Sequence, residues 1–311
     1  MATVRVLVGL PGSGKSTYAN ELRKIGWMIN SSDAIREELY GTAEDQSHND
    51  EIFNAMYRRT VNGIVADLDV VYDATNVSSK RRAALLKSFK SNKAIPEDTR
   101  YEVVVIATPY TECLKRNLAR ERHVPAKVIL SMMKRFEMPA EWEGWDEIRV
   151  YGNDSPRGTE KFQELMKVAM TMEQDNPYHT LTVGKHMEAV VAGYYHDYAR
   201  GNFDKSIYGA ISYHDIGKIY CKTFYNMRGE KTDIAHFYNH ENVGAYLYLS
   251  LMGVADLNGK LREIDFEIVQ LIQHHMAFFK GEKYLNKIKE RFGEEFYNKL
   301  SIVHRYDTAA H

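Results

Sequence analysis

The chain has 311 residues, a formal net charge of −1, 44% hydrophobic and 27% charged residues. That length suits two domains, each with its own core, and the composition excludes a disordered chain. No apolar run approaches the ~20 residues that span a bilayer, so no membrane partner is expected, and the near-neutral charge gives no bulk signal of a nucleic-acid binder. The apolar start reads as a strand entering a phosphate loop, not as a signal peptide. Cys113 and Cys221 stand in no paired spacing, which excludes a disulfide framework and a cysteine zinc site. A reduced, cytoplasmic setting in a bacterial or phage-infected cell is the expectation. Only His48 and His123 of the 12 histidines precede residue 170, so the two halves are expected to do different chemistry.

In chain order, "VRVLVGL" (4–10), "WMIN" (27–30), "VVYDAT" (70–75), "YEVVVIA" (101–107) and "EIRVYG" (147–152) read as strands. Helical periodicity begins near Lys15, Ser47, Ser78, Thr111 and Pro125. This alternation predicts an α/β domain with a parallel sheet covered on both faces. After the turn cluster "GNDSPRG" (152–158) strand signals nearly vanish, and the remainder reads as an all-α bundle. The expected domains are 1–155 and 156–311, with the boundary in the region 153–172.

"GLPGSGKST" (9–17) has the spacing of a phosphate-binding loop between a strand and a helix. Gly12, Ser13 and Gly14 turn backbone N–H groups inward, Lys15 reaches the β- and γ-phosphates, and Ser16, with Thr17 beside it, can ligate Mg²⁺. This half is therefore expected to bind ATP with Mg²⁺. In "NSSDAIREELYG", Asp33 suits a general base for an attacking hydroxyl, with Arg36 one helical turn on to hold a phosphate or the acceptor. A capping Asp with a surface Arg is the plain alternative. Asp73 ends a strand where ligands gather in open α/β sheets. It can hold magnesium through water, with Arg81 and Arg82 facing acceptor phosphates; the alternative is a capped helix with solvated arginines. Arg116, Arg120 and Arg122 lie along a helix and its exit and read as a lid over the transferred phosphate.

The phosphate loop, "SDAIR", "DATN" followed by arginines, and the "RN…R…VP" lid resemble the polynucleotide 5′-hydroxyl kinases of phage and bacterial end-healing enzymes, over roughly residues 2–152. The resemblance implies that Asp33 is the general base, that Arg36 engages the acceptor's phosphate, and that Lys15 and Ser16 serve ATP·Mg. It leaves either Arg120 or Arg122 as the arginine over the donor phosphates. The alanine inside "DATN" departs from the uninterrupted Asp-Thr-Asn of the T-even phage enzyme. That longer form also occurs in related kinases with small or protein acceptors, so RNA, DNA or a small acceptor stays open.

In the second half, His186, His214-Asp215, His240, His275 and Asp307 fall on separate helical segments with apolar neighbours. Buried imidazoles and carboxylates need partners or a metal, and several converging from different helices form the pattern of a metal site in a bundle. The order resembles the HD-domain metal-dependent phosphohydrolases, over about 172–311. The resemblance implies that His186, His214, Asp215 and Asp307 bind a first metal (Mn, Ni, Co, Zn or Fe), with Asp215 bridging to a second held by His240 and His275. Lys218 reads either as a phosphate contact or as a solvated lysine. His275 is favoured over His274 by register. His179 and His236 are secondary candidates for substrate contact, and His196, His304 and His311 read as ordinary residues.

Together the two resemblances imply a bifunctional end-healing enzyme working beside a separate nucleic-acid ligase. The kinase half would phosphorylate 5′-hydroxyl ends, and the HD half would remove a 2′,3′-cyclic phosphate or 3′-phosphate. The rival is a small-molecule or nucleoside kinase fused to an HD nucleotidase or cyclic-nucleotide phosphodiesterase. A regulatory nucleotide sensor is a third reading.

Overall fold

The computed structural model describes every residue except 45–46, 122, 153–157, 199–200 and 311. Arg122, His311 and most of the expected 152–158 turn therefore lie outside the described residues. The first half contains β1 (Thr3–Val8), α1 (Lys15–Lys24), β2 (Met28–Ser31), α2 (Ser32–Tyr40), α3 (Asn49–Val65), β3 (Val70–Asp73), α4 (Ser79–Lys90), β4 (Arg100–Ile106), α5 (Tyr110–Leu118), α6 (Ala126–Met133) and β5 (Glu147–Tyr151). The second contains α7 (Gly158–Thr171), α8 (Val183–Tyr198), α9 (Lys205–Tyr213), α10 (Lys218–Cys221), β6 (Thr223–Tyr225), β7 (Lys231–His236), α11 (His240–Leu251), α12 (Glu263–His274), a 3₁₀ segment (His275–Lys280) and α13 (Glu282–Ala309). Two compact units result: Met1–Pro125, Pro139–Gly152 and Leu257–Lys260 in one, and Ala126–Met138, Asn153–Asp256 and Leu261–His311 in the other.

In the first unit five parallel strands run in the order β2-β3-β1-β4-β5. All of β3 and most of β1 and β4 are buried, because a parallel sheet is covered on both faces; their apolar runs are accordingly near-continuous. The chain leaves β1 to one side for β2 and β3 and returns to the other for β4, so the crevice at the strands' carboxyl ends opens beside β1. The phosphate loop follows β1, Asp73 ends β3, and Asp33 lies in the first turn of α2.

The second unit is mainly helical but not all-α, a correction to the sequence reading. β6 and β7 form an antiparallel hairpin across a turn whose Gly229 has φ 81°. Its strands are three and six residues long, too short to stand out from helical text. α11 is the central helix, buried at every position from Val243 to Leu251. Asp204 caps α9, its carboxylate accepting from the amides of Ser206 (2.7 Å) and Ile207 (3.2 Å).

The segment after α6 is held by two amide side chains of the same unit. Gln273 Oε1 accepts from the Met138 amide at 2.9 Å and Gln273 Nε2 donates to the Phe136 carbonyl at 3.2 Å. Asn242 Nδ2 donates to the Lys134 carbonyl at 2.9 Å. Gln273 stands two residues before His275 and Asn242 two residues after His240.

Candidate functional sites

In the first unit the loop between β1 and α1 folds tightly because its glycines permit it. Gly12 has φ 82°, and a Cβ there would sit 2.3 Å from the Cys113 carbonyl oxygen. Lys15 Nζ donates to the carbonyls of Gly9 and Leu10, both at 2.9 Å. Burial pushes its ammonium pKa down, opposed chiefly by the negative charge of Asp73 and less by that of Asp33. Asp73 is pushed up by burial, with Lys15 acting against that shift, and it is hydrogen-bonded to Ser16. A hydroxyl and a carboxylate meeting beside the loop lysine is a donor set that fits Mg²⁺ on a bound triphosphate. Ser13 is buried, while Ser16 and Thr17 are exposed in the first turn of α1.

Asp33 is 63% exposed and accepts from Arg36 Nη1 at 3.1 Å. Arg36 itself is buried; its Nη2 donates to Asn49 Oδ1 at 2.7 Å, while its Nε has no partner. The carboxylate is thus open to an acceptor and the guanidinium behind it is fixed in place. The charge of Asp33 is felt by both Lys15 and Asp73, so the three belong to one site. Arg116 pairs with Glu112 at 2.9 Å, and Arg120 lies exposed just past the end of α5, its positive charge felt at Lys15.

Arg82 requires a correction. Its side chain is 0% exposed, with both Nε and Nη2 bonded to the Glu143 carboxylate at 2.9 and 2.6 Å and Nη1 donating to the Asn76 carbonyl. A guanidinium buried and paired in this way cannot face an acceptor. Arg81, about 100° further round the helix, is exposed.

In the second unit the six polar residues His186, His214, Asp215, His240, His275 and Asp307 come together in two groups that share Asp215. Oxygen and nitrogen atoms of His186, His214, Asp215 and Asp307 lie within 4.8 Å of one another, and so do those of Asp215, His240 and His275. His186 is on α8, His214 and Asp215 in the turn after α9, His240 opens α11, His275 opens the 3₁₀ segment and Asp307 is near the end of α13. The turn can approach α11 because Gly217 lacks a side chain: a Cβ there would fall 2.0 Å from the His240 carbonyl oxygen.

The imidazoles share one hydrogen-bond pattern. The Nδ1 atoms of His186, His214, His240 and His275 donate to the carbonyls of Ala310, Ile211, Phe237 and Ile272, at 2.7–2.9 Å. A carbonyl only accepts, so each ring carries a proton on Nδ1 and turns Nε2 toward the cluster as the atom that could ligate a metal. Burial works against a charge on His214, but Asp215 and Asp307 raise its pKa to about 9. The Nε2 atoms face each other, at 3.4 Å between His186 and His214 and 3.1 Å between His240 and His275. Burial, reinforced by His240 and His214, pushes the His275 pKa down to about 4.

The carboxylates are divided between the groups. Asp215 Oδ1 lies 3.2 Å from His240 Nε2 and 3.8 Å from His275 Nε2, while Oδ2 lies 3.5 Å from His214 Nε2 and 3.7 Å from His186 Nε2. Asp307 Oδ1 is 2.9 Å from His186 Nε2 and 3.2 Å from His214 Nε2. Burial opposes ionisation of Asp215 and Asp307, but Lys218 and His214 hold the first, and His214 and His186 the second, well below the ordinary carboxylate range. Converging imidazole Nε2 atoms around ionised carboxylates form a donor set that fits divalent transition metals, which would take the place of the Nε2 protons.

Lys218 is buried, with Nζ 2.7 Å from Asp215 Oδ2 and donating to Gln174 Oε1 at 2.8 Å, so the solvated alternative does not hold. His274 lies outside the cluster, its Nδ1 3.3 Å from the Tyr284 hydroxyl. His179 packs edge-on against His186, with a buried Nδ1 that has no partner. His236 stacks on Tyr238 and meets the Thr232 hydroxyl. His304, read as ordinary, also has a buried, unpartnered Nδ1 and lies one helical turn before Asp307. Its aromatic partners come from the distant 3₁₀ segment, so nothing in the local sequence marked it.

The parallel sheet, the phosphate loop and the Lys15–Asp73–Asp33 group give the first unit the features of a P-loop nucleotide-binding domain. Residues 4–139 match the model of the AAA domain family. Over 147 residues, 45% of this chain and 55% of the relative, the chain is 29% identical to the L-seryl-tRNA(Sec) kinase of Methanococcus maripaludis. It thus spans about half the length of that curated relative. Among solved structures it is similar to the Pnkp1/Rnl/Hen1 RNA repair complex, at 22% identity over 42% of each chain with a TM-score of 0.36. It is also similar to a fungal RNA kinase, at 15% identity over 48% of this chain and 38% of the other with a TM-score of 0.37. Structural likenesses of this size carry no argument about activity.

Proposed function

We propose that the chain is a bifunctional nucleic-acid end-healing enzyme, with kinase and HD-type phosphohydrolase halves at 1–155 and 156–311. The kinase half transfers the γ-phosphate of ATP to a 5′-hydroxyl of RNA or DNA. Asp33 takes the proton of the attacking hydroxyl, Arg36 orients the acceptor's phosphate, and Arg81 contacts the strand. Gly12, Ser13, Gly14, Lys15, Ser16 and Thr17 hold ATP·Mg, with Asp73 supporting the ion and either Arg120 or Arg122 over the donor phosphates.

The second half removes a 2′,3′-cyclic phosphate or 3′-phosphate. One observation carries this reading: the two oxygens of a single buried carboxylate, Asp215, are directed to two separate sets of imidazole Nε2 atoms. When bound there, a divalent metal pair lowers the pKa of a water and neutralises phosphate oxygens. Lys218 orients Asp215 and adds a positive charge at the same place. The two products, a 5′-phosphate and a 3′-hydroxyl, are the ends that a separate ligase requires.

A second reading changes the acceptor to a small hydroxyl and makes the second half a nucleotidase or cyclic-nucleotide phosphodiesterase. The relative named for seryl-tRNA supports it only in that its acceptor is not named as a 5′-hydroxyl end. Offering 5′-hydroxyl oligonucleotides with labelled ATP, and oligonucleotides ending in a 2′,3′-cyclic phosphate with Mn²⁺, Ni²⁺ or Co²⁺, separates the two. Label transfer to nucleosides but not to oligomers sinks the end-healing reading.

A further inference from the structure

We propose that Phe279 and His304 form a nucleobase subsite beside the metal-ligand cluster, so that this half takes nucleotide ends in preference to simple phosphoesters. The inference rests on reading the cluster as a phosphohydrolase centre. It starts from two elements that each carry a ligand. In the 3₁₀ segment that His275 opens, Phe278 is three residues on, and side chains at that spacing eclipse one another. On α13, His304 precedes Asp307 by three residues and shares its face.

The two elements meet through aromatic rings. Phe278 and His304 stack at 4.6 Å between centroids and 6° between planes, and Phe279 meets His304 edge-on at 5.0 Å and 81°. The shelf therefore continues outward from a ligand of each metal group, His275 of one and Asp307 of the other. Asp307, on the His304 face of α13, is also the ligand nearest to solvent. The Asp307 side chain is 11% exposed, more than any of the other five ligands.

Phe279 is 59% exposed. Isolated surface phenylalanines are ordinary; this one adjoins a ring whose buried Nδ1 has no hydrogen-bond partner. An unsatisfied buried polar atom is costly, and a rotation of the His304 ring would bring that nitrogen to a base edge or ribose hydroxyl. Every nucleobase has a π-face, so an aromatic shelf gains stacking from any base and gains nothing from a bare phosphate.

The test uses the metal-loaded full chain with adenosine 2′,3′-cyclic phosphate and the base-free ribose 2′,3′-cyclic phosphate. Wild type should show the lower KM for the nucleoside ester. That preference, read as the ratio of the two KM values, should fall about tenfold in Phe279→Ala and persist in Phe279→Trp. Equal KM values in wild type, or an alanine effect of the same size on both esters, overturns the subsite. If neither ester is turned over, the phosphohydrolase reading fails by itself. Binding of adenosine 3′-monophosphate against ribose 3-phosphate then judges the shelf: a Phe279-dependent preference for the nucleotide upholds it, and no preference overturns it.

Discussion

His240 and His275 face each other Nε2 to Nε2 at 3.1 Å, while each ring's Nδ1 proton is committed to a backbone carbonyl. With Nδ1 so committed, Nε2 is the atom each ring has left to ligate a cation between them and Asp215. Asp215→Ala removes the carboxylate common to both groups. It should weaken Mn²⁺ or Co²⁺ binding by at least about 100-fold, given what even outer partners of metal ligands contribute. Equilibrium dialysis with elemental analysis measures this; the phosphohydrolase should be lost and 5′-kinase activity kept.

Lys15→Ala and Asp33→Ala should have the converse effect. Loss of a positioned general base costs about 10²- to 10⁴-fold, read as label transfer from ATP to a 5′-hydroxyl end, with cyclic-phosphate hydrolysis retained. A folded variant of either kind that lost both activities would contradict the two-site arrangement.

Arg82→Ala should fail through folding. It leaves the Glu143 carboxylate buried without its bidentate partner, a change that costs about 3–5 kcal/mol. Arg81→Ala should leave the denaturation midpoint within about 0.5 kcal/mol of wild type while weakening binding of the acceptor strand. Chemical denaturation of both variants distinguishes a structural arginine from a binding one.

Asp204 gives a pH-dependent contribution whose sign is fixed. Burial acts against its charge, but hydrogen bonds from Ser206 and Ile207 and the nearby Lys299 hold its pKa below the ordinary value. A depressed carboxylate stabilises the fold fully above its unfolded pKa of about 3.9, and the contribution is lost as pH falls through the folded value. Asp204→Ala should therefore cost about 1 kcal/mol at pH 7, and the gap to wild type should narrow below about pH 4. Denaturation curves at several pH values measure it.

A fragment of residues 156–311 lacks the backbone that Gln273 and Asn242 hold at Lys134, Phe136 and Met138. Each buried polar group left without its partner costs about 1–3 kcal/mol. The fragment should show a lower denaturation midpoint than one that also carries 126–138. A synthetic 126–138 peptide should raise the midpoint, and equal midpoints would show that the amides take other partners.

Much was legible because it is local. The five parallel strands stand within two residues of their apolar runs, since strands buried on both faces are written as near-continuous hydrophobic text. The phosphate loop is legible because backbone geometry there demands glycine at fixed spacing. The β6–β7 hairpin was not, because strands of three and six residues carry too little alternation.

The sequence by itself determined which residue types can do chemistry and in what order: a phosphate loop with Asp33 and Arg36, then histidines and aspartates on separate segments. Only the tertiary structure decided which of them meet. It divided the oxygens of Asp215 between two sets of imidazoles, buried Arg82 while leaving Arg81 outside, and grouped 126–138 with the helical unit. Adjacent arginines differ by about 100° around a helix, and polar groups far apart in the chain share a site only when packing closes the distance. Those are properties of the folded chain, and no local pattern encodes them.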